Sequence, residues 1–323
     1  MASAPIQLTL SELRKGGKPA LARALTTIES QPDAPETLAL LDEAYAAPDA
    51  HVVGLTGPPG VGKSTLARAL IGQWRGRKLT VGVIAVDPSS KVSGGALLGD
   101  RVRLATDPED DGLFVRSMAA RDRLGGLAHQ TIAGTVLMRA VFDKVLIETV
   151  GVGQSETDIA HVADTVVFCI QPGSGDSLQF MKAGIVEIPD IAVVTKSDLG
   201  DVARRAKNDV KSALNLSGAR GEDWQVPVLG VSSMTGEGMD ALVDAVEHHG
   251  NLSGRTDRRA AQAETWLKEA VRLRFGTNGL KQAGGRIALK TGESPFRREA
   301  EIAAYLGRSP NGSAVAGGLG SIS

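Results

Sequence analysis

The sequence predicts an α/β fold: a mostly parallel central sheet flanked by helices, with helical extensions at the N-terminal and C-terminal ends. Two observations predict it. From His51 to about residue 250, short runs of β-branched residues alternate with helix-compatible segments. These runs are apolar throughout, which is typical of parallel strands covered by helices on both faces. Outside this part of the chain, apolar residues recur at helical spacing instead.

The predicted strands are Val52–Leu55, Val81–Val86, Lys144–Ile147, Thr165–Ile170, Ile191–Val194 and Val226–Leu229. We expect four parts: an N-terminal helical extension over residues 1–50, the α/β domain over 51–250, a C-terminal helical arm over 251–306, and a flexible tail over 307–323. In the arm, one apolar stripe predicts a first helix, and Ser294-Pro295 predicts the start of a second. The stripe comprises Ala263, Trp266, Leu267, Ala270 and Val271.

Composition excludes several classes of protein. The chain has 36 Lys and Arg residues against 37 Asp and Glu, a formal net charge of -1, so it lacks the overall basic charge typical of nucleic-acid binding. The single cysteine, Cys169, excludes a disulfide framework or a cysteine-built metal site, and its apolar neighbours predict a buried strand thiol. No apolar run approaches the roughly 18 residues of a membrane span, and no leader pattern opens the chain. We expect a cytoplasmic protein without a membrane partner.

A glycine-rich turn after the first strand predicts a phosphate site. Gly57 to Ser64 fits G-x-x-x-x-G-K-[ST] and lies between a strand and a helix-compatible run. Backbone N–H groups of such a turn surround an anion, the lysine adds a positive charge, and the serine hydroxyl can bind Mg²⁺. The nucleotide-binding residues predicted here are Gly57, Pro58, Pro59, Gly60, Val61, Gly62, Lys63, Ser64 and Thr65.

Acidic residues at two predicted strand ends indicate a magnesium site beside the phosphates. Asp87 follows one strand, and Glu148 opens an acid-x-x-Gly turn after another; Asp100 is a further candidate ligand together with Ser64. In that turn the N–H of Gly151 can meet a γ-phosphate, a contact that exists only before hydrolysis. Asp87, Glu148 and Gln154 are alternative candidates for orienting the attacking water, and Lys63 for neutralising the developing charge.

The sequence Thr195-Lys196-Ser197-Asp198 follows another predicted strand and fits the guanine-reading pattern [NT]-K-x-D. The carboxylate of Asp198 can accept hydrogen bonds from both the ring N–H and the exocyclic amine of guanine, which adenine does not offer. The stem of Lys196 would cover the purine ring, and Thr195 stands where asparagine is more usual. At a later strand end, Ser232, Ser233 and Met234 could close over the guanine oxygen through backbone N–H groups.

These motifs, in this order, resemble the MeaB/ArgK/MMAA family of G proteins, within the P-loop NTPases that have a SIMIBI-like G domain. The matching stretches, over most of residues 10–306, are Gly57–Thr65, Asp87–Ser90, Gly94–Arg101, Glu148–Glu156 and Gln171–Asp176. The run E-T-V-G-V-G-Q-S-E at Glu148–Glu156 is highly specific.

The resemblance implies a GTPase that binds GTP, GDP and Mg²⁺ and acts as a chaperone of an adenosylcobalamin-dependent acyl-CoA mutase of the methylmalonyl-CoA mutase type. It implies that the protein gates cofactor loading and protects the mutase, and that it forms a homodimer through C-terminal helices. It also implies a third switch over Gln171 to Lys182, in which Gln171, Asp176 and Lys182 couple nucleotide state to the partner.

Three other functions remain alternatives. A metal-insertion GTPase shares the core but needs a Cys/His cluster. Cys169 is solitary, and the five histidines form no ligand cluster beyond the adjacent pair His248 and His249. A P-loop kinase or ATPase linked to amino-acid transport would need an acceptor pocket that no motif indicates. A nucleotide-gated scaffold without activity is disfavoured by the intact Lys63, Ser64 and Glu148.

Overall fold

A computed structural model describes residues 8–87, 107, 109–119, 127, 129–149, 158–173, 188–216, 224–252 and 254–307. Within this part of the chain, seven strands form one sheet. They are β1 (His51–Thr56), β2 (Val81–Asp87), β3 (Leu113–Ala119), β4 (Lys144–Thr149), β5 (Thr165–Ile170), β6 (Ile191–Thr195) and β7 (Val228–Val231). The helices over the same residues are α1 (Leu10–Ser30), α2 (Pro35–Ala46), α3 (Lys63–Gly76), α4 (His129–Arg139), α5 (Asp201–Leu216), α6 (Met239–Gly250), α7 (Arg255–Ala283) and α8 (Pro295–Gly307).

The sheet has the strand order β3-β2-β4-β1-β5-β6-β7, and every pair of neighbours is parallel. The predicted α/β fold class is therefore confirmed. Because all strands run the same way, the loops that leave their carboxyl ends lie along one edge of the sheet. The central strand β1 is flanked by β4, where Glu148 is the partner of Leu55, and by β5, where Phe168 is the partner of Thr56.

β3, the strand at one edge of the sheet, was not among the predicted strands. It pairs with β2 alone, and its half-buried Arg116 bonds Glu29 of α1 at 2.6 Å. An edge strand tolerates such a polar residue, so the run lacks the uniformly apolar pattern that identified the other strands. The last strand begins two residues later than predicted, at Val228. The carbonyl of the preceding residue, Pro227, accepts the N–H of Ala192 at 3.0 Å.

The N-terminal helices cover one side of the sheet by packing on α4 and on each other. Thr9 and Glu12 form a capping box at the start of α1, and Gly17 kinks this helix with φ 58 and ψ -152. Pro35 occupies the first position of α2, where a missing N–H costs nothing. Arg14 ties α1 to the end of α4 by donating to the Ala140 carbonyl at 2.9 Å.

Two consecutive arginines near the start of α7 bind aspartates at the amino ends of neighbouring strands. Arg259 makes two bonds to Asp164, which precedes β5, at 2.7 and 2.6 Å. Arg258 makes two bonds to Asp190, which precedes β6, at 3.2 and 3.0 Å. Each aspartate also accepts a backbone N–H of the adjacent strand at 2.8 Å. The first turns of α7 are thereby fixed to the amino edge of the sheet.

Replacing one member of the Asp164–Arg259 pair should lower the stability of the folded protein. Burial acts to raise the pKa of Asp164, but the bonds and charge of Arg259 outweigh it and lower this pKa. Asp164→Asn would leave a buried guanidinium without its counter-charge, so we expect a loss of about 3–5 kcal/mol in the free energy of unfolding. Urea denaturation at pH 7 measures this. Asp49→Asn, at an exposed ion pair with Arg14, is the matched control and should cost below about 1 kcal/mol.

Glu299 of α8 is a buried carboxyl group between the arm and the rest of the protein. One oxygen lies 3.9 Å from Arg274 of α7, and the other lies 3.8 Å from Nδ1 of His129, the first residue of α4. Asp33, in the connection between α1 and α2, bonds the same arginine at 3.0 Å. Burial raises the pKa of Glu299 to about 7, with Arg274 opposing the rise and Asp33 adding to it.

The raised pKa predicts a dependence of stability on pH. Between the ordinary pKa of 4.5 and about 7, the folded protein holds a proton at Glu299 that the unfolded chain releases, so stability should fall as the pH rises through this window. Protonation of Glu299 contributes on the order of 2–3 kcal/mol to the free energy of unfolding. Glu299→Gln should flatten the decline, measured by urea unfolding at pH 5 and pH 8. Equal declines in the variant and the parent protein would contradict this.

Candidate functional site

Among the predicted functional segments, the structure describes the turns that follow β1, β6 and β7 and the end of β4, all at one edge of the sheet. One strand, β5, separates β1 from β6. With neighbouring strands about 4.8 Å apart, the loops after β1 and β6 are roughly 10 Å apart, which is comparable to the separation of the phosphates and base of a nucleotide. The phosphate-binding and base-reading motifs can therefore contact one molecule.

The turn between β1 and α3 requires glycine at several positions. Gly57, Gly60 and Gly62 have φ of 137, 74 and 101, in the region that L-residues with side chains rarely adopt. At Gly57 there is also no room for a side chain, since a Cβ would lie 2.3 Å from the carbonyl oxygen of Cys169. The turn leads directly into α3 at Lys63, so its backbone N–H groups and the helix N-terminus form one anion-binding concavity.

The ammonium group of Lys63 lies over this turn. Its Nζ donates to the carbonyl oxygens of Gly57 at 2.6 Å and Pro58 at 2.8 Å, and the residue is 6% exposed. Because these acceptors belong to the turn itself, the positive charge is held where a bound phosphate would need it.

A serine and a glutamate meet beside the phosphate turn. Ser64 Oγ donates to Glu148 Oε1 at 2.5 Å, joining the second residue of α3 to the end of β4. Next to them, Thr149 Oγ1 donates to Thr56 Oγ1 at 3.1 Å, joining β4 to β1. Sequence reasoning singled out Ser64 and Glu148 but had no signal for the threonine pair. Hydroxyl and carboxylate oxygens are the donors that Mg²⁺ prefers.

Thr195 links the base-reading turn to the phosphate turn. Its buried hydroxyl lies 2.8 Å from the carbonyl of Val61 and 3.2 Å from that of Ile170, and donates its one proton toward them. Lys196 follows in a left-handed conformation with φ 54, and its side chain is exposed. The next residues form a 3-10 helix, Ser197–Leu199, in which the Asp198 side chain is exposed.

The last predicted loop is a tight turn between β7 and α6. Ser232 is fully buried, its N–H donates to the carbonyl of Glu237 at 2.9 Å, and its hydroxyl accepts the N–H of Thr235 at 3.2 Å. Ser233 is half-buried, whereas Met234 is 83% exposed. The Ser232 N–H is thus engaged within the turn.

Other predicted residues lie outside the described part of the chain, so their contacts with the site are untested: Asp100, Gly151, Gln154, Asp176 and Lys182. The backbone of Asp87 ends β2 as expected, and Gln171 directly follows β5. Cys169 is confirmed as a buried strand thiol beneath Gly57, and burial raises its pKa to about 12. Sequence reasoning assigned this residue no part in the site, although its carbonyl limits the space at Gly57.

None of the helices in the described segments is both long enough and apolar enough to span a bilayer. The same segments contain no group of three or more His, Cys, Asp or Glu side chains that could hold a metal ion.

Comparison with known proteins identifies the family. Residues 21–281 match the family model described as "Methylmalonyl Co-A mutase-associated GTPase MeaB". A putative GTPase of Pyrococcus horikoshii is 40% identical over 272 residues, covering 83% of this chain and 85% of its own. The mitochondrial methylmalonic aciduria type A homolog of Mus musculus is 38% identical over 281 residues, covering 79% of this chain and 66% of its own.

A solved structure titled as an LAO/AO transport system kinase has 27% sequence identity and a TM-score of 0.66, covering 94% of this chain and 99% of its own. These likenesses agree with the parallel sheet and with the phosphate turn between β1 and α3. The chain belongs to the MeaB family of methylmalonyl-CoA mutase-associated GTPases and is a P-loop GTPase that binds guanine nucleotide.

Proposed function

We propose that this GTPase is a chaperone for an adenosylcobalamin-dependent acyl-CoA mutase of the methylmalonyl-CoA mutase type, and that it gates cofactor loading and protects the mutase from inactivation. The family description, which names the mutase, carries this proposal, and the name of the mouse relative supports it. We further propose that the protein works in the cytoplasm as a homodimer, with α7 and α8 forming the dimerisation arm.

GTP would lie along the carboxyl edge of the sheet. In this proposal, residues 57–65 bind the phosphates, with Lys63 neutralising charge that develops on the β and γ oxygens. Asp198 accepts the two guanine donors, Lys196 covers the ring, and Thr195 holds the base turn against the phosphate turn. The turn at Ser232, Ser233 and Met234 lies beside the base.

Ser64 and Glu148 fit a magnesium ion, because their oxygens meet at 2.5 Å next to the phosphate turn. A protein site for Mg²⁺ commonly supplies only one or two ligands, with phosphates and waters completing the octahedron. When bound, the ion would neutralise phosphate charge. Asp87 and Asp100 are proposed as further ligands, directly or through water.

The attacking water needs an acceptor near the γ-phosphate, for which Asp87, Glu148 and Gln154 remain the proposed alternatives. Gly151 would contact the γ-phosphate through its N–H. We propose that Gln171, Asp176 and Lys182 convey the nucleotide state to the partner. The segment that contains them begins at the end of β5, directly beside the phosphate turn.

Ser64→Ala should reveal the magnesium dependence. Removing the hydroxyl deletes one proposed ligand, so we expect Mg²⁺ to strengthen GTP binding about tenfold less than in the parent protein. Titration calorimetry with and without Mg²⁺ measures the difference. Ser212→Ala, at an exposed position of α5, is the control. An unchanged magnesium effect in Ser64→Ala would remove Ser64 from the metal site.

Capture of a purified adenosylcobalamin-dependent mutase by the immobilised full chain tests the partner assignment. The capture is run with GDP and with a nonhydrolysable GTP analogue, and we expect the retained amount to differ between the two states. In a second experiment, a mutase prepared without cofactor is added, and GTP hydrolysis is measured while the cofactor is transferred to it. Absence of capture in both nucleotide states would refute the chaperone role while leaving GTPase activity intact.

A second candidate function comes from the structural neighbour titled as a transport system kinase. A kinase transfers the γ-phosphoryl group to an acceptor, whereas a GTPase releases it as inorganic phosphate. GTP labelled at the γ-phosphate distinguishes them, and we expect the label to appear as inorganic phosphate. Label transferred to an acceptor molecule would favour the kinase.

A further inference from the structure

We propose that Thr56 and Thr149 are positioning residues for magnesium-dependent nucleotide binding, because the bond between their hydroxyls fixes Glu148 relative to the phosphate turn. The inference rests on the proposed magnesium site at Ser64 and Glu148, and it gives Thr56 and Thr149, the hydroxyl pair, a part in that site. All four residues belong to the part of the chain that the structure describes.

The hydroxyl pair lies where two neighbouring strands end. Thr56 is the last residue of β1, and Thr149 is the last residue of β4. The backbone pairing of these strands extends to Leu55 and Glu148, one residue before the two threonines. Thr149 Oγ1 donates to Thr56 Oγ1 at 3.1 Å. The side chains therefore continue the connection between the strands one residue beyond the backbone pairing.

From this point the two chains lead to the two sides of the proposed magnesium site. Thr56 precedes Gly57, the first residue of the phosphate turn, and this turn ends at Ser64 in α3. Thr149 follows Glu148, whose Oε1 accepts the bond from Ser64 Oγ at 2.5 Å. The bond of the hydroxyl pair thus fixes the distance between the end of β4 and the start of the turn that carries the serine.

The hydroxyl pair lies on the face of the sheet opposite to the Glu148 carboxylate. Successive side chains of a strand point to opposite faces, so Thr149 and Glu148 point to different sides. Leu55 packs in the core beside α3, whereas Phe168, which pairs with Thr56, belongs to the core on the other side of the sheet. The hydroxyl pair therefore acts through the backbone between residues 148 and 149, and not as a metal ligand.

Burial keeps this bond in place. Thr56 and Thr149 are both fully buried, so water does not compete for either hydroxyl. Separating the two hydroxyls would leave polar groups without partners inside the protein, which costs more than breaking the same bond at the surface. The ends of β1 and β4 are consequently held at one separation before any nucleotide binds.

Loss of the bond should weaken only the magnesium-dependent part of nucleotide binding. Groups that orient a metal ligand tune the affinity for the metal, and Glu148 would no longer be held beside Ser64. We expect the gain in GTP affinity that Mg²⁺ provides to fall about fivefold, the size of one ordinary hydrogen bond. Affinity measured with EDTA should stay within about twofold, since the N–H groups of the phosphate turn still surround the phosphates.

The test uses four variants of the full chain. Thr149→Val keeps the shape of the side chain but leaves the Thr56 hydroxyl unpaired, whereas the double variant Thr56→Val, Thr149→Val leaves no hydroxyl unpaired and should recover folding stability. Thr149→Ser keeps the hydroxyl. Thr135→Val is the matched control, because it removes a buried hydroxyl of α4 that donates to the Thr131 carbonyl at 2.8 Å.

Titration calorimetry with a nonhydrolysable GTP analogue, in Mg²⁺ and in EDTA, gives the magnesium gain as the ratio of the two affinities. Urea unfolding gives the stability of each variant. We expect a reduced magnesium gain in Thr149→Val and in the double variant, and a gain near the parent value in Thr149→Ser and Thr135→Val. If Thr149→Val fails to fold, the double variant decides.

Two results would overturn the proposal. If the double variant recovers both its stability and the full magnesium gain, the hydroxyl pair is structural alone. An unchanged gain in both valine variants leads to the same conclusion. A parent protein whose affinity is equal in Mg²⁺ and in EDTA would instead refute the proposed magnesium site, and this inference with it.

Discussion

Lys63→Ala should lower kcat for GTP hydrolysis by about 10²–10³-fold, the effect expected when a charged group that stabilises the transition state is removed. In the structure its ammonium group bonds the carbonyls of Gly57 and Pro58, so a fixed positive charge lies inside the phosphate turn. Charge that develops on the β and γ oxygens during hydrolysis would be left without this neutralisation. The affinity for GTP should fall less than kcat, since backbone N–H groups still surround the phosphates.

Folding should survive the Lys63→Ala change. Alanine is favourable in a helix, and Lys63 is the first residue of α3. The lost bonds connect a charged donor to two turn carbonyls, so we expect a loss of about 1–3 kcal/mol in the free energy of unfolding, less than the stability of a typical domain. The control is Lys211→Ala, an exposed lysine of α5. The proposed role of Lys63 is wrong if kcat stays within about threefold of the parent value while the protein remains folded.

The sequence predicted the sheet where its strands are buried on both faces. Uniformly apolar runs identified β1, β4, β5 and β6, and the parallel arrangement then placed the motifs after them at one edge. The same criterion failed for β3, because a strand at the edge of the sheet can carry a charged residue such as Arg116, which pairs with Glu29. The prediction was therefore strongest where both faces of a strand are covered.

Contacts between residues that are far apart in the sequence could not be predicted from the sequence alone. The motif indicated that Thr195 belongs to the nucleotide site, but only the structure relates its hydroxyl to the Val61 carbonyl, 134 positions away. Likewise, the spacing of α7 gave its apolar stripe, whereas Arg258, Arg259 and Gln262 occupy polar positions whose partners depend on how the arm meets the sheet. Helical periodicity predicts which residues face inward, but it does not predict the partners of polar residues that bond other elements.

Asp198→Asn should change the choice of base, because its exposed side chain follows β6 in the base-reading turn. The carboxylate can accept from both the ring N–H and the amine of guanine, whereas an asparagine amide accepts one bond and turns its own donor toward the other group. We expect GTP affinity to fall about 10²-fold, consistent with the loss of a charge-assisted bond and a donor left unpaired. ATP binding should stay weak, since adenine presents neither donor in this arrangement.

Xanthosine triphosphate gives the converse measurement. Xanthine carries a carbonyl where guanine carries the amine, so the side-chain amide introduced by Asp198→Asn would donate to it, while the parent carboxylate would repel it. The ratio of xanthosine triphosphate to GTP affinity should therefore rise by more than about 10²-fold in this variant, with both affinities measured by titration calorimetry. Asp209→Asn, which removes an equal charge from exposed α5, controls for long-range electrostatics and should leave the ratio unchanged. If Asp198→Asn leaves it unchanged as well, guanine is read by other residues, and the turn after β6 has a structural role alone.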